Sequence, residues 1–167
     1  KIAKIGENIS VRRMRKLSGE NISMYVHNGV SPNLGKIGVL VSLSANHNEL
    51  GRQIAMHIAA TNPASLSESD LSQDLIEREK VILTEQAKES GKPDNIIENM
   101  IKGRLKKFFE EVTLLNQKFV MDQDITVGQA AEAAGVTILD FVRFEVGEGI
   151  EKNEEDFASE VAKTMSG

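Results

Sequence analysis

The sequence predicts an α+β protein with an antiparallel sheet and packed helices, an inserted antiparallel helical hairpin that forms an arm, and a C-terminal helix. Two observations carry this prediction. Apolar residues alternate with polar ones in several short stretches, which is the period of strands with one buried face. Before the last of these stretches, the apolar residues instead recur every three or four positions, which is the period of amphipathic helices.

Three sequential antiparallel strands are predicted before the first long helix, with turn signals at Ser18-Gly19-Glu20 and between Asn28 and Gly35. Their alternating apolar residues are Ile9 and Val11, then Ile22, Met24 and Val26, then Ile37, Val39, Val41 and Leu43. The first strand would also carry the basic residues Arg12, Arg13, Arg15 and Lys16. A solvated strand face explains this basic cluster as well as a nucleic-acid patch does, and we favour the solvated face.

A helix packed on the sheet is predicted next, in the stretch "NHNELGRQIAMHIAATNP". Its apolar residues recur every four positions, at Leu50, Ile54 and Ile58. Asn46 and Glu49 have the spacing of a capping box, and Pro63 lies just beyond the predicted end. Gly51, near the first turn, would allow the helix to approach the sheet closely.

The helical arm is predicted between this helix and the last strand. Ser67 and Asp70 mark a helix start, and a charge-rich helical pattern runs from Leu71 to about Ser90. The stretch "SGKPDN" breaks it, and Asp94 can cap a second helix. The apolar stripe of the second helix consists of Ile97, Ile101, Leu105, Phe108 and Val112. Because the hairpin alone would bury so narrow a stripe poorly, we expect a partner chain or another surface to cover it.

After the arm, "KFVMDQDI" is predicted to be extended, and a short helix follows in "TVGQAAEAAG". Thr126 and Gln129 have capping-box spacing, and Gly135 ends this helix. A fourth strand then returns to the sheet through Val142, Phe144 and Val146. The final stretch "NEEDFASEVAKTM" has the pattern of an amphipathic helix.

Composition narrows the classes of function. The 167 residues contain no cysteine, which excludes thiol catalysis, disulfides and thiolate metal sites. A formal net charge of −5 argues against general nucleic-acid binding, because phosphate affinity needs concentrated positive charge. No apolar run approaches the length of a membrane span, so we expect a cytoplasmic protein with no membrane partner. The chain begins at Lys1 without a Met, so we expect an N-terminal part to be missing.

Glycines directly after a strand can form a phosphate loop, and "RFEVGEGIEK" raises that question for Gly147 and Gly149. A dinucleotide loop needs a third glycine and an immediate helix, and neither is present. Glu145, Glu148 and Glu151 would also repel an anion. We therefore predict a turn that ends the strand.

The three histidines do not form a metal site by pattern. His47 and His57 are ten residues apart, which does not place them on one helix face at ligand distance. His57 is predicted to be a helix-surface or boundary residue with a hydrogen-bonded ring, and His27 is either an ordinary turn residue or a contact residue. No Gly-x-Ser-x-Gly elbow is present either. We predict no catalytic residue, metal or cofactor, and therefore a binding protein rather than an enzyme.

An ordered set of fragments resembles bacterial translation elongation factor Ts over essentially the whole chain. These fragments are "KIGENISVRRM", "GKIGVLV", "QIAMHIAATNP", "GKP", "GRLKKFFEEVTLLNQKFVMD", "TVGQ" and "FVRFEVGEGIEK". The resemblance implies a guanine-nucleotide exchange factor that promotes GDP release from elongation factor Tu during translation elongation. The implied partner is elongation factor Tu, either GDP-bound or nucleotide-free, with a homodimer through the helical arm as a further expectation.

The resemblance also implies a division of the chain into parts. Residues 1–19 would end a first core subdomain, and 20–63 with 116–152 would form a second α+β core subdomain. Residues 64–115 would be the inserted, dimerisation-type arm, and 153–167 the C-terminal helix. The family's N-terminal helical domain is not in this sequence. Its Thr-Asp-Phe-Val motif, whose Asp and Phe approach the magnesium site of elongation factor Tu, is also not in this sequence.

Four positions of this sequence match family positions that contact elongation factor Tu. Ile5 and Gly6 of "KIGEN" and His27 of "YVHNG" match positions that meet a helix of its nucleotide-binding domain. Val120 of "KFVMD" matches a position that meets its other domains.

The alternative function is that of an RNA-associated or structural coiled-coil interaction protein that uses the arm and the basic clusters 12–16 and 102–107. The resemblance favours the exchange factor, for which we expect no direct nucleic-acid binding.

Overall fold

The computed structural model of the protein describes residues 2–6, 11–29, 31 and 33–149. Its helices are α1 (Ile2–Ile5), α2 (Asn48–Thr61), α3 (Gln73–Lys88), α4 (Asp94–Val112) and α5 (Val127–Ala133), with a 3-10 turn at Glu68–Asp70. Its strands are β1 (Asn21–His27), β2 (Ile37–Leu43), β3 (Lys118–Phe119), β4 (Asp122–Thr126) and β5 (Ile138–Glu145). This confirms the α+β class. The helix predicted at 153–167 lies outside the described residues.

The main sheet is antiparallel and has the strand order β1-β2-β5. β2 is central, so Leu40 pairs with Met24 on one side and with Val142 on the other. β5 comes last in the chain and still pairs with β2, which confirms that a strand returns to the sheet after the helical insertion. β3 and β4 form a separate hairpin.

The strand predicted around Ile9 and Val11 is wrong for the residues that the structure describes. Residues 11–19 form no strand, and the side chain of Val11 is 87% exposed. The segment meets β5 through side chains instead of a backbone ladder, since Arg13 binds Glu148 at 2.7 Å and its guanidinium lies 4.9 Å from the centre of the Phe144 ring. One short apolar alternation followed by basic residues gives a strand too little apolar surface to bury.

α2 packs on one face of the sheet and forms the core with it. Val39, Val41 and Leu43 of β2 point toward Ile54 and Ile58 of α2, and all five are almost fully buried. Burial of these apolar side chains stabilises the fold. The opposite face of the sheet leaves apolar side chains of β1 exposed, among them those of Ile22 and Met24.

Gly51 sets how closely α2 approaches the sheet, as its position in the sequence predicted. A Cβ atom at this residue would lie 2.8 Å from Cβ of Ser23 and 3.3 Å from a methyl carbon of Leu43. Carbon atoms that are not bonded do not approach to 2.8 Å without displacement. The glycine therefore lets the first turn of α2 lie against β1 and β2.

The predicted caps are only partly correct. His47, not Asn46, caps α2, because its Nδ1 accepts the N–H of Leu50 at 3.4 Å. α4 begins at Asp94, and Pro93 is its N-cap residue. The Asp94 carboxylate therefore lies in the first turn, where it interacts favourably with the helix dipole. The capping box at the start of α5, the end of α2 before Pro63 and the end of α5 before Gly135 follow the sequence prediction.

α3 and α4 form the helical hairpin, whose base is joined to the rest of the fold by backbone hydrogen bonds. The Ala64 N–H donates to Val112 O at 2.8 Å, and the Leu114 N–H donates to Ser65 O at 2.9 Å. Further from this base, few residues of the hairpin are buried. Leu83 and Ala87 are the buried residues of α3, while α4 has none. The stripe of α4 residues at Ile97, Ile101, Leu105 and Phe108 is half-buried against α3.

Candidate functional site

The turn of the β3–β4 hairpin exposes two neighbouring apolar side chains, Val120 and Met121, which we call the β3–β4 tip. Phe119 and Asp122 pair across the hairpin and flank this turn. Val120 is 40% exposed and Met121 is 53% exposed, whereas Phe119 is buried. Two adjacent apolar side chains on a short turn offer a compact surface whose burial would stabilise a complex.

Buried hydrogen bonds hold the β3–β4 tip from the side of the core. The Val120 N–H donates to Nδ1 of His57 at 3.3 Å, and Nε2 of His57 lies 2.8 Å from Oε1 of Gln117. Because Nδ1 accepts a hydrogen bond, the neutral ring carries its proton on Nε2 and donates it to Gln117. The imidazole ring also packs against Phe119, with 5.9 Å between the ring centres.

Gln117 connects this histidine to two other helices and to the end of its own helix. Its Nε2 donates to Glu111 O at the end of α4 at 2.8 Å. Its Oε1 also lies 3.0 Å from the hydroxyl of Thr61 at the end of α2. The Gln117 carbonyl accepts the N–H of Val127 at the start of α5 at 3.0 Å. The carboxamide thereby fixes the position of His57 relative to the arm base and the hairpin.

Burial lowers the pKa of His57 below its ordinary value of 6.5, and the hydrogen bond to Gln117 opposes that shift in part. The ring is therefore neutral near pH 7 and keeps a lone pair on Nδ1 for the Val120 N–H. The prediction of a surface or boundary histidine is wrong, because His57 is fully buried, although its ring is hydrogen-bonded as expected. His57 follows Ile54 by three positions, which puts it on the same helix face as the core residues.

His27 lies at the end of β1, away from the two-stranded hairpin. Its side chain is exposed, and Nδ1 lies 2.9 Å from the hydroxyl of Tyr25, with the two rings 5.9 Å apart. The Lys36 N–H donates to the His27 carbonyl at 3.0 Å, so the backbone of this residue is fixed by β2. The exposed ring can offer a hydrogen bond to a partner surface.

Ile5 and Gly6 lie at the N-terminal edge of the described chain. Ile5 is the last residue of α1, and Gly6 follows it with a φ of +79°. Gly6 is exposed, and among the described residues no atom beyond its chain neighbours lies within 4 Å of the position that a Cβ would take. Gly6, His27 and Val120 thus lie on three separate segments: the end of α1, the end of β1 and the β3–β4 tip.

The glycines after β5 form a turn, as the sequence predicted. Gly147 and Gly149 have φ values of +82° and +70°, which favour glycine. The Glu148 carboxylate between them binds Arg13 at 2.7 Å and lies 4.0 Å from Nη1 of Arg143. The hydrogen bond from Arg13 lowers the pKa of Glu148. The Glu148 carboxylate thus pairs with the arginines beside this turn.

The basic clusters of the sequence are partly paired with carboxylates within the fold. Arg15 binds Asp140 at 3.3 Å, and Arg12 donates to the Glu148 carbonyl at 3.0 Å. On α4, Lys106 and Lys107 lie 3.9 and 3.8 Å from the glutamates four residues later. These pairs lower the positive charge that the two clusters can present to a polyanion.

Two further properties of the described residues concern metal ions and membranes. No group of three histidine, aspartate or glutamate side chains among them is arranged to hold a metal ion. None of the helices within the described ranges has the length and hydropathy needed to cross a bilayer.

The resemblance singled out Val120, whereas no contact or supporting role was predicted for Met121, His57 or Gln117. Met121 follows Val120 directly, and the turn that exposes both was not predicted within "KFVMDQDI". The position of His57 on the apolar face of α2 was a usable signal for burial. No comparable sequence signal marks Gln117, because its role depends on contacts with residues that are 56 and 60 positions away.

Comparison with known proteins identifies close relatives. Residues 1–148 match the family described as Elongation factor TS. The chain is 63% identical over 169 residues to elongation factor Ts of Paracoccus denitrificans, covering 99% of this chain and 57% of that protein. It is 62% identical over 167 residues to elongation factor Ts of Dinoroseobacter shibae, covering 100% of this chain and 57% of that protein. The chain thus spans somewhat more than half the length of these curated relatives.

Proposed function

The chain belongs to the elongation factor Ts family, and on this premise we propose that it serves guanine-nucleotide exchange on elongation factor Tu. In this role the longer protein would promote GDP release during translation elongation in the cytoplasm, and this chain would supply part of its docking surface. The chain covers 57% of the length of its relatives, and the activity of the longer proteins is carried over to it as part of this proposal.

The observation that carries the proposal is the exposed β3–β4 tip with its buried support. Val120 and Met121 present apolar surface on a turn whose backbone is bonded to a fully buried side chain. A preorganised apolar tip loses little conformational entropy on binding, so most of its buried area contributes to affinity. We propose that Val120 contacts elongation factor Tu outside its nucleotide-binding domain.

The other proposed contacts are Ile5, Gly6 and His27, which would meet a helix of the nucleotide-binding domain. Two features support them. Gly6 is exposed and has no side chain, and no atom from elsewhere in the described residues fills the position of its absent Cβ, so a partner helix can approach its backbone closely. His27 is exposed at a strand end whose backbone is fixed by β2, and its ring can form hydrogen bonds.

The proposed mechanism is differential binding and needs no covalent step. If the chain binds nucleotide-free elongation factor Tu more tightly than the GDP complex, linkage requires that it weakens GDP binding by the same factor. The family's Thr-Asp-Phe-Val motif is not in this sequence. We therefore assign docking to this chain and do not assign it the disturbance of the magnesium site.

The division into parts at 1–19, 20–63 with 116–152, 64–115 and 153–167 remains part of this proposal. Exposed apolar side chains at Val11, Met14, Ile22 and Met24 support it. They form surface that an adjoining core subdomain would cover. The backbone hydrogen bonds at Ala64 and Leu114 support a boundary between the core and the arm at that point.

The proposal is tested by measuring both binding and exchange. We expect this chain to bind nucleotide-free elongation factor Tu, and to accelerate the release of fluorescent GDP from the GDP complex only slightly. Val120→Asp should weaken binding at least about tenfold, because a carboxylate would be desolvated in an apolar contact. Lack of binding by the unmodified chain would contradict the proposed function. Fast GDP release by this chain would contradict the assignment of docking alone.

An RNA-associated role is not favoured. Arg13 and Arg15 pair with carboxylates, and Arg12 donates to a backbone carbonyl of the same fold. On α4, Lys106 and Lys107 lie 3.9 and 3.8 Å from glutamates one turn away. Binding to RNA that weakened steeply with added salt would restore this alternative.

A further inference from the structure

We propose that His57 is a positioning residue that holds the β3–β4 tip in its binding shape through Nδ1. This inference rests on the proposed function, because the tip is taken to be a contact for elongation factor Tu. Neither the family match nor the sequence reasoning assigned a role in partner binding to this histidine.

The first step of the argument is the direct bond between the histidine and the tip. The backbone N–H of Val120 donates to Nδ1 of His57 across 63 positions of the chain, at 3.3 Å. Val120 itself forms part of the turn between β3 and β4, where the backbone N–H groups are not all used by the ladder. The bond therefore fixes the peptide plane that orients the Val120 side chain.

The second step is that only one protonation state of the ring can make this contact. Nδ1 must be unprotonated to accept from Val120, so the proton has to be on Nε2, where it meets Oε1 of Gln117 at 2.8 Å. The Gln117 amide is oriented in turn by donating to Glu111 O. The chain of bonds Glu111, Gln117, His57, Val120 thus selects the acceptor form of Nδ1.

The third step is that the support is rigid while the supported surface is exposed. His57 is fully buried between the core residues of α2 and Phe119. Val120 and Met121 are roughly half exposed. A buried polar side chain that ends on the backbone of an exposed apolar turn orients that turn more strongly than packing alone, because its bond is directional.

Two substitutions separate the two ring nitrogens. Asn at position 57 places its carboxamide oxygen near the position of Nδ1, so His57→Asn can still accept from Val120 but does not reach Gln117. Gln is longer and places its amide near Nε2, so His57→Gln can still donate to Gln117 but leaves the Val120 N–H without its acceptor. Both variants are polar and each loses one bond, which makes them a matched pair. His47→Asn, at the cap of the same helix, is the control.

The measurements are amide hydrogen exchange at Val120, ¹⁵N chemical shifts of the His57 ring and the Kd for nucleotide-free elongation factor Tu. The unmodified chain should show the Nε2-protonated tautomer and a protected Val120 amide. His57→Gln should lose that protection and bind about threefold to tenfold more weakly, which corresponds to one hydrogen bond. His57→Asn should keep both the protection and a Kd close to that of the unmodified chain.

The outcomes distinguish this inference from the proposed function. If Val120→Asp weakens binding but His57→Gln, still folded, binds as the unmodified chain does, the positioning role is wrong. Equal losses for the Asn and Gln variants would also overturn it, since they would indicate a packing role. An Nδ1-protonated tautomer would overturn it without any binding measurement. If Val120→Asp has no effect, the proposed contact itself fails.

Discussion

The sheet-and-helix core and the helical arm are stabilised in different ways. In the core, Val41, Ile54 and Ile58 are completely buried, and even a histidine is buried with both ring nitrogens bonded. In the arm, α4 has no buried residue, and α3 has only Leu83 and Ala87. Rigid positioning of a contact surface is therefore expected from the core. The arm depends on its base, or on a partner, for order.

The largest difference in stability between the two regions should come from truncating an isoleucine to alanine in each of them. Ile54→Ala deletes fully buried carbon atoms, and we expect it to lower the free energy of unfolding by about 2–5 kcal/mol. Ile101→Ala, on the half-buried stripe of α4, should cost about 1 kcal/mol. Urea denaturation measures both. Equal costs would contradict the distinction between core and arm.

Two glycine-to-alanine substitutions should change the stability of the protein in opposite directions in the two regions. Gly51→Ala should destabilise the protein by about 1–3 kcal/mol, because a Cβ would lie 2.8 Å from Cβ of Ser23. Gly103→Ala on α4 meets no atom within 4 Å and should stabilise by about 0.5–1 kcal/mol through helix propensity. Thermal unfolding monitored by circular dichroism measures both. Stabilisation by Gly51→Ala would show that α2 does not approach the sheet this closely.

The buried histidine should also give the core a pH dependence. Its pKa is lowered by folding, so below pH 6.5 the unfolded chain takes up a proton that the folded chain does not. Stability is therefore complete above pH 6.5 and falls as the pH drops toward the lowered folded-state pKa, by at most about 1.4 kcal/mol per pH unit. Unfolding free energies at pH 7.5 and 5.5 should differ more for the unmodified chain than for His57→Asn. Identical differences would show that His57 is not buried in its neutral form.

The smallest effect on stability is expected for the exposed apolar residues of α3, although they should affect self-association. Val81 and Ile82 are about half exposed on the arm. If the arm forms the proposed homodimer, Val81→Glu with Ile82→Glu should reduce the sedimenting mass to the 18.3 kDa of one chain. Lys80→Glu, on the same helix, is the control for added negative charge. A mass of one chain for the unmodified protein as well would remove the dimer proposal.

Much of the fold could be predicted because its local signals are strong. Period-two alternation located β1, β2 and β5, and the spacing of Thr126 and Gln129 located the start of α5. The first predicted strand failed because the alternation around Val11 was short, and its arginines pair with carboxylates from the far end of the chain. Strand pairing is a non-local property, so a local pattern alone does not establish it.

The candidate site was less predictable than the fold. The resemblance pointed to Val120, but the support behind it joins residues from α2, the end of α4 and the β3–β4 hairpin. Nothing in the neighbouring sequence of Gln117 indicates that its amide would orient a histidine on another helix. The position of His57 beside Ile54 and Ile58 did indicate burial. Histidine is only intermediate in how often it is buried, and this favoured the prediction of a surface or boundary residue.

The central claim is that the core, through the β3–β4 tip, is the surface that docks on elongation factor Tu. The most direct test is a titration of labelled, nucleotide-free elongation factor Tu with two variants that place the same charge on the two regions. Val120→Asp on the tip should raise the Kd at least about tenfold, while Val81→Asp on the arm should leave it unchanged. An unchanged Kd for Val120→Asp, or a greater loss for Val81→Asp, would contradict the account.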